Sequence, residues 1–105
     1  MKIILCASCA LGRAGFADPL QRALAEAGVA CELTLVECMS GCTRASTCAF
    51  RAGGKTAYLF GDLGATDLPD LVRFAQLYSA SPDGTFSDAR VLGGLRWKAI
   101  ARIPG

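Results

Sequence analysis

The chain has 105 residues, the size of a single domain, and a formal net charge of only +2. Hydrophobic residues make up 52% and charged residues 19%, which predicts a globular protein rather than a disordered one. The weak charge, without a stripe of basic and aromatic residues, argues against nucleic-acid binding, and the absence of histidine excludes mixed Cys/His metal sites and Rieske-type ligation.

The N-terminal run from Lys2 to Leu5 predicts a short buried strand, since it is continuously hydrophobic apart from Lys2. It loosely resembles a secretory signal, but Cys6 and Ser8 end the apolar run early and Arg13 adds a charge shortly after them, so we expect no signal. No stretch reaches the ~20 apolar residues of a membrane span. We therefore expect a cytoplasmic protein with no membrane partner, in which clustered thiols are ligands or redox catalysts.

The next elements are a helix and a second strand. Asp18 is a candidate N-cap, Pro19 fits the first helical position, and Gly28 closes an apolar pattern made by Leu20, Ala23, Leu24 and Ala27. Residues 30–36 predict a strand with Cys31, Leu33 and Leu35 on one face. A helix of this length predicts a right-handed β-α-β crossover, which makes the two strands parallel and adjacent.

Two close cysteine pairs follow these two strands, Cys6 and Cys9 as C-x2-C and Cys38 and Cys42 as C-x3-C. Because ligands in open α/β sheets gather beyond the carboxyl ends of the strands, we expect both pairs at one edge of the sheet. Four thiolates there could bind one metal ion or cluster, and this donor set suits Zn2+ and iron-sulfur centres equally.

A thiol-disulfide oxidoreductase is the main rival, since Cys6-Ala-Ser-Cys9 stands where a thioredoxin-like enzyme carries its C-x-x-C. Two features count against it: the predicted helix begins well after the motif, at Asp18, and no proline lies between Thr43 and Thr47. This function would also leave Cys38 and Cys42 without a role. The single, scattered carboxylates and the absence of histidine give little support to a hydrolase, so we expect no catalytic residues.

The rest of the chain predicts a hairpin, a helix and an apolar tail. Residues 47–51 and 56–60 read as strands joined at Gly53-Gly54. Thr66 or Asp67 could cap a helix whose apolar stripe consists of Leu68, Leu71, Val72, Ala75 and Tyr78, and which ends at the turn 81–84. Residues 85–105 are too apolar for a disordered tail, so we expect them to pack on the core or on a partner subunit. We expect the whole chain, residues 1–105, to form a single domain.

The two remaining cysteines and two arginines allow more than one interpretation. Cys31 and Cys48 lie on predicted strands in phase with apolar residues, which favours small core residues; either could instead replace a member of the first pair or act as a spare redox thiol. Arg13 and Arg44 flank the cysteine loops and could offset a negative cluster, dock an acidic partner, or be solvated surface charges.

Over residues 1–80 the chain resembles the thioredoxin-like [2Fe-2S] ferredoxins. The similarity lies in the strand, cysteine loop, helix and strand, in the run Cys38–Cys42, and in a hairpin ending at Ala57–Asp62 before a helix. That family usually separates its first two ligands by a longer stretch than Cys6 and Cys9 have here. With its terminal Ala101–Pro104, the whole chain is closer to a small bacterial family of predicted metal-binding proteins of unknown function.

The resemblance implies an α/β, thioredoxin-like fold with a mixed sheet of four strands, or five if the tail adds one, in the order β-α-β-β-α. It also implies a [2Fe-2S] cluster held by Cys6, Cys9, Cys38 and Cys42, with Zn2+ or [4Fe-4S] as alternatives and the loop amides around Ser8, Ser40 and Gly41 as candidate hydrogen-bond donors. The implied function is single-electron transfer, not catalysis, by a homodimer whose partner is a reductase or an electron-acceptor protein.

Overall fold

The computed structural model describes residues 1–6, 15–36, 46–86 and 89–103, apart from the side chains of residues 89–91. Within them are two α-helices, α1 (Ala17–Glu26) and α2 (Leu68–Ala80), and short 3-10 segments at Ala65–Asp67 and Ala89–Trp97. The five strands are β1 (Lys2–Cys6), β2 (Glu32–Val36), β3 (Cys48–Arg51), β4 (Ala57–Phe60) and β5 (Ala99–Ile103). Neither α-helix in this part of the chain has the length and hydrophobicity that crossing a bilayer requires.

The strands form one mixed sheet in the order β2-β1-β3-β4-β5. β1 and β2 are parallel, and every other neighbouring pair is antiparallel. This arrangement confirms the mixed, thioredoxin-like α/β fold, with the tail supplying the fifth strand. The observed order is β-α-β-β-β-α-β. The expected order β-α-β-β-α is wrong in detail, because it counts the two predicted hairpin strands as one and leaves out the strand that the tail adds after α2.

The predicted parallel, adjacent pairing of β1 and β2 is confirmed residue by residue. Lys2 pairs with Glu32 and Cys6 with Val36, so β1 and β2 begin and end level with each other. β4 runs in the same direction as β1, and β3 runs against both. We call the end of the sheet formed by Cys6, Val36, Thr47 and Gly61 the cysteine edge, and the opposite end, formed by Lys2, Glu32, Arg51 and Ala57, the turn edge.

The N-terminus of α1 differs from the sequence prediction. The helix begins at Ala17, and Phe16 occupies the N-cap position without a side-chain cap. Asp18 therefore lies inside the first turn and is not the N-cap residue. Its negative carboxylate interacts favourably with the positive end of the helix dipole. The C-terminus agrees with the prediction: Gly28 has φ +74°, and the N–H groups of Gly28 and Val29 donate to the carbonyls of Ala25 and Leu24, a Schellman motif.

The cap of α2 agrees with the sequence in position but not in contact. Asp67 is the N-cap residue, yet its side chain makes no cap hydrogen bond to α2. Its Oδ2 instead accepts from the backbone N–H of Gly64 (2.8 Å) and from the Lys98 ammonium (2.6 Å). Asp67 therefore fastens the loop before α2 to the segment that leads into β5.

Both α-helices pack on the same face of the sheet. From the helices, Leu20, Leu24, Leu71, Phe74, Ala75 and Tyr78 are buried there, against alternate strand residues such as Ile3, Leu5 and Phe50. Phe74, which the predicted stripe omitted, lies at the centre of this core: its ring contacts Phe50 edge-to-face with centroids 4.8 Å apart. Leu68 and Val72 of the predicted stripe are only partly buried.

The tail adds to the sheet through β5 and to the core through Leu95, which is fully buried. Gly93 has φ +61° and separates the two turns of the 89–97 segment. Other tail residues remain on the surface, with Trp97 71% exposed. These contacts describe one chain, so a single domain and packing on a partner subunit stay predictions.

Candidate metal centre at the cysteine edge

One of the four predicted ligands falls within the described residues. Cys6 is the last residue of β1, 2% exposed, and its backbone N–H donates to the carbonyl of Thr47 (3.3 Å). The other three ligands, the two flanking arginines and the candidate loop donors lie outside the described residues: Cys9, Cys38, Cys42, Arg13, Arg44, Ser8, Ser40 and Gly41. The geometry of the site is therefore that of the cysteine edge to which these segments are joined.

Thr47 lies directly opposite Cys6. The β1–β3 register pairs Leu5 with Cys48, and the Cys6–Thr47 hydrogen bond continues that register by one residue. Directly opposite residues of an antiparallel pair project to the same face, with Cβ atoms about 4.5–5.5 Å apart. Since Leu5 and Cys48 belong to the helix-covered core, Cys6 and Thr47 project to the other face.

The hydroxyl of Thr47 is an exception among the buried polar groups. The residue is 2% exposed, and its Oγ1 has no hydrogen-bond partner in the part of the chain that the structure describes. Buried hydroxyls are nearly always paired, and an unpaired one costs roughly 1–3 kcal/mol. The Thr47 hydroxyl is therefore a candidate for interaction with a group bound at this edge.

The backbone at the same edge is strained at two residues. Ser46 has φ +63° and Asp62 has φ +55°, both in the left-handed region that side-chain-bearing residues rarely adopt. They are joined through the N–H of Leu63, which donates to the carbonyl of Ser46 (3.3 Å). Strained backbone of this kind concentrates at binding and catalytic sites, so it independently points to the cysteine edge.

Lys98 and Asp67 hold this edge together on the β4–β5 side. The Lys98 ammonium donates to the Asp67 carboxylate (2.6 Å) and to the Asp62 carbonyl (2.8 Å), and the Lys98 carbonyl accepts from the N–H of Gly61 (2.8 Å). Charge-assisted hydrogen bonds of this length are among the stronger polar contacts in proteins. They fix the position of residues 61–64, which come directly after β4.

The structure separates Cys48 from Cys6, the candidate ligand that it describes. Its side chain is 0% exposed and belongs to the helix-covered core, on the opposite face of the sheet from Cys6. Burial raises the pKa of the Cys48 thiol far above its usual range, so it stays a neutral, apolar group. The prediction that Cys48 is a core residue is confirmed.

Cys31 lies at the wrong end of the sheet for the candidate site. It precedes Glu32, so the five residues of β2 separate it from the cysteine edge, about 16 Å at the usual strand rise. It is half-buried against the core, and burial raises the pKa of its thiol. It lines an open concavity of about 560 Å³ with Met1, Lys2, Glu32 and Arg51. Cys31 therefore cannot share a metal with Cys6.

Among the described residues no three His, Cys, Asp or Glu side chains converge as a metal site, which is expected when three of the four predicted ligands lie elsewhere in the chain. Sequence reasoning missed Thr47, which it treated only as the start of a strand. The signal that identifies Thr47 is its register opposite Cys6, and that register cannot be read before the β1–β3 pairing is known.

A comparison with family models matches residues 3–105 to the family described as "Protein of unknown function (DUF1636)". The chain belongs to this family. The matched DUF1636 region contains all six cysteines and β5, so it extends beyond the residues 1–80 that resemble ferredoxins. The expectation of a family of unknown function is confirmed; the ferredoxin identity stays a prediction. No curated protein matches the chain. No solved structure matches it either.

Proposed function

We propose that this member of the DUF1636 family is a ferredoxin-like electron-transfer protein that holds a [2Fe-2S] cluster with Cys6, Cys9, Cys38 and Cys42. The observation that carries the proposal is the level, parallel pairing of β1 and β2, in which Cys6 lies opposite Val36. Adjacent strands are about 4.8 Å apart, so the two cysteine-bearing segments leave the sheet side by side.

The chain connections support a shared site. Cys38 follows Val36 by two residues, a reach of at most about 7 Å. Cys42 belongs to the segment 37–45, which joins Val36 to Ser46, and both of these residues lie at the cysteine edge. Cys9 follows Cys6 by three residues, a reach of at most about 11 Å. All four sulfurs are thereby tethered to one end of the sheet.

The donor set fits an iron-sulfur centre. Four thiolates ligate both [2Fe-2S] and [4Fe-4S] clusters, and such a cluster supplies reversible one-electron transfer when bound. The chain contributes the ligands, a rigid sheet that holds Cys6 in a buried position, and polar groups such as Thr47 beside it. Cys6 being 2% exposed also disfavours the thiol-disulfide alternative, since an exchanging thiol must be accessible to its substrate.

The proposal includes the setting of the protein. We propose an electron carrier or metal-binding protein rather than an enzyme, in the cytoplasm, that exchanges electrons with a reductase or an acceptor protein. We also propose a homodimer: β2 and β5 are the edge strands of the sheet, and Trp97, Ile100 and Ile103 are exposed on or near β5. Light scattering of the purified protein tests the homodimer directly.

The first test is an absorption spectrum with iron, sulfide and zinc quantification on protein purified without air. We expect visible absorption bands, about two irons and two sulfides per chain, and bleaching on reduction by one electron. Each serine substitution of a proposed ligand should lose most of the iron, because it removes one thiolate. The four variants are Cys6→Ser, Cys9→Ser, Cys38→Ser and Cys42→Ser.

Cys31→Ser is the matched control, since it removes a thiol about 16 Å from the edge and is expected to keep the full iron content. About four irons per chain would replace the [2Fe-2S] assignment with [4Fe-4S]. A colourless protein with one zinc per chain would refute electron transfer and leave a structural or carrier zinc site. A metal-free protein with a reversible Cys6–Cys9 disulfide would refute the metal centre altogether.

A further inference from the structure

We propose that the Thr47 hydroxyl is a hydrogen-bond donor to the metal centre and that it sets the reduction potential of that centre. The inference rests on the proposed function and goes beyond it, because it assigns a role to a residue that ligates nothing. The acceptor is an anionic sulfur of the bound metal centre.

The position of Thr47 results from the strand pairing. Its backbone carbonyl accepts from the N–H of Cys6 (3.3 Å), so the two residues are directly opposite and their side chains leave the same face of the sheet. Cys48, one residue later, projects into the helix-covered core. The strand alternation therefore sends one side chain to the core and the adjacent one, Thr47, toward the side of the predicted ligand.

The second observation concerns the hydrogen bonding of the hydroxyl. Thr47 Oγ1 is buried and has no hydrogen-bond partner among the described residues. Thr56, at the turn edge, is also buried and lies far from the predicted ligand, so it offers a matched threonine for comparison. Valine has nearly the shape of threonine but lacks the hydroxyl, so Thr47→Val removes this group with little change in side-chain volume.

A donor at this position favours the reduced centre. One-electron reduction adds negative charge that spreads onto the sulfurs, and a hydrogen bond to sulfur stabilises the more negative state more strongly. Removal of the donor is therefore expected to lower the reduction potential, while the four thiolates still hold the iron.

The test compares Thr47→Val and Thr47→Ser with the native protein, each purified without air. We expect all three to contain the same iron and sulfide per chain. Thr47→Val should have a more negative reduction potential in a spectroelectrochemical titration, and Thr47→Ser, which keeps the hydroxyl, should return most of the shift. Resonance Raman spectra provide the second readout: Fe–S stretching bands should shift less on transfer to D2O in Thr47→Val than in the native protein.

Thr56→Val is the matched control, because it makes the same substitution in a buried threonine at the far end of the sheet and should leave both readouts unchanged. A cluster-containing Thr47→Val protein with the native potential and the native deuterium shift would overturn this inference and leave the proposed function intact. A native protein without iron would overturn the proposed function and this inference with it.

Discussion

The two ends of the sheet use their buried hydroxyls in opposite ways. At the turn edge, Tyr78 donates to the carbonyl of Thr56 (2.6 Å) and Tyr58 to the carbonyl of Gly84 (2.8 Å). At the cysteine edge, the Thr47 hydroxyl has no partner within the described residues. Burial raises the pKa of both tyrosines, which keeps their hydroxyls protonated as donors.

The backbone shows the same contrast. Positive φ at the turn edge falls on Gly54 and Gly84, whereas at the cysteine edge it falls on Ser46 and Asp62. A Cβ at Gly84 would lie 2.9 Å from Tyr78 Cε1, so that glycine is required by close packing. Within the described residues, the two turn-edge tyrosines have paired hydroxyls, whereas the cysteine edge combines strained backbone at Ser46 and Asp62 with an unpaired Thr47 hydroxyl.

The largest expected effect comes from the core between the two edges. Phe74→Ala should lower the free energy of unfolding by about 3–5 kcal/mol, because the ring is fully buried and its removal leaves a cavity. Urea unfolding of the metal-free protein measures this loss. If the two edges are as distinct as we argue, the folded fraction of Phe74→Ala should still bind iron at the native ratio; loss of iron from folded protein would contradict the division.

Two substitutions that each remove one buried hydroxyl, one at each edge, should have intermediate effects on the unfolding free energy. Tyr78→Phe should lower the unfolding free energy by about 1–2 kcal/mol, since it leaves the Thr56 carbonyl without its buried donor. Thr47→Val in the metal-free protein should leave stability unchanged or raise it by up to about 1 kcal/mol, because it removes an unpaired buried hydroxyl.

Both variants of this pair are measured by urea unfolding under identical, metal-free conditions, with Tyr58→Phe as a second turn-edge deletion of the same chemistry. The prediction concerns the sign of the difference between the two edges. A loss of stability in Thr47→Val as large as that in Tyr78→Phe would mean that the Thr47 hydroxyl already has a partner in the metal-free protein.

Local sequence signals predicted most of the scaffold. The β-α-β crossover, the Gly53-Gly54 hairpin and the core position of Cys48 depend on periodicity and turn chemistry over short stretches, and all three are confirmed. A long-range feature escapes local signals: the strand β5 depends on pairing with β4, which lies across α2 in the chain. Phe74 is a different case, because its spacing from Leu71 and Tyr78 fits the helical stripe and its omission is an error of the local prediction.

The candidate site shows the same limit more sharply. The spacing of the cysteines predicts four ligands without any structure, because a short loop keeps two thiols together. The Asp18 cap was wrong because a side-chain type fixes a helix start only to within a residue or two. Thr47 became visible only through the β1–β3 register, which joins residues about forty positions apart in the chain.

The smallest expected effect on stability comes from Asp83, in the turn after α2. It tests whether this part of the turn edge is stabilised by charge or by packing. Hydrogen bonds from the Thr85 hydroxyl (2.7 Å) and the Thr85 backbone N–H (3.0 Å) lower the pKa of the Asp83 carboxyl below its ordinary value of 3.8. Because the folded-state pKa is the lower one, the carboxylate contributes stability above pH 3.8, and this contribution is lost as the pH falls through the folded-state pKa.

Asp83→Asn should therefore be slightly less stable than the native protein at neutral pH, and the difference should shrink as the pH falls below 3.8. Urea unfolding at a series of pH values measures the difference, and NMR titration of the Asp83 carboxyl measures the pKa itself. Thr85→Val removes the donor with the largest effect and should move that pKa back toward 3.8. A difference that stays constant with pH would mean that Asp83 acts through the shape of the turn, as Gly84 does, and not through its charge.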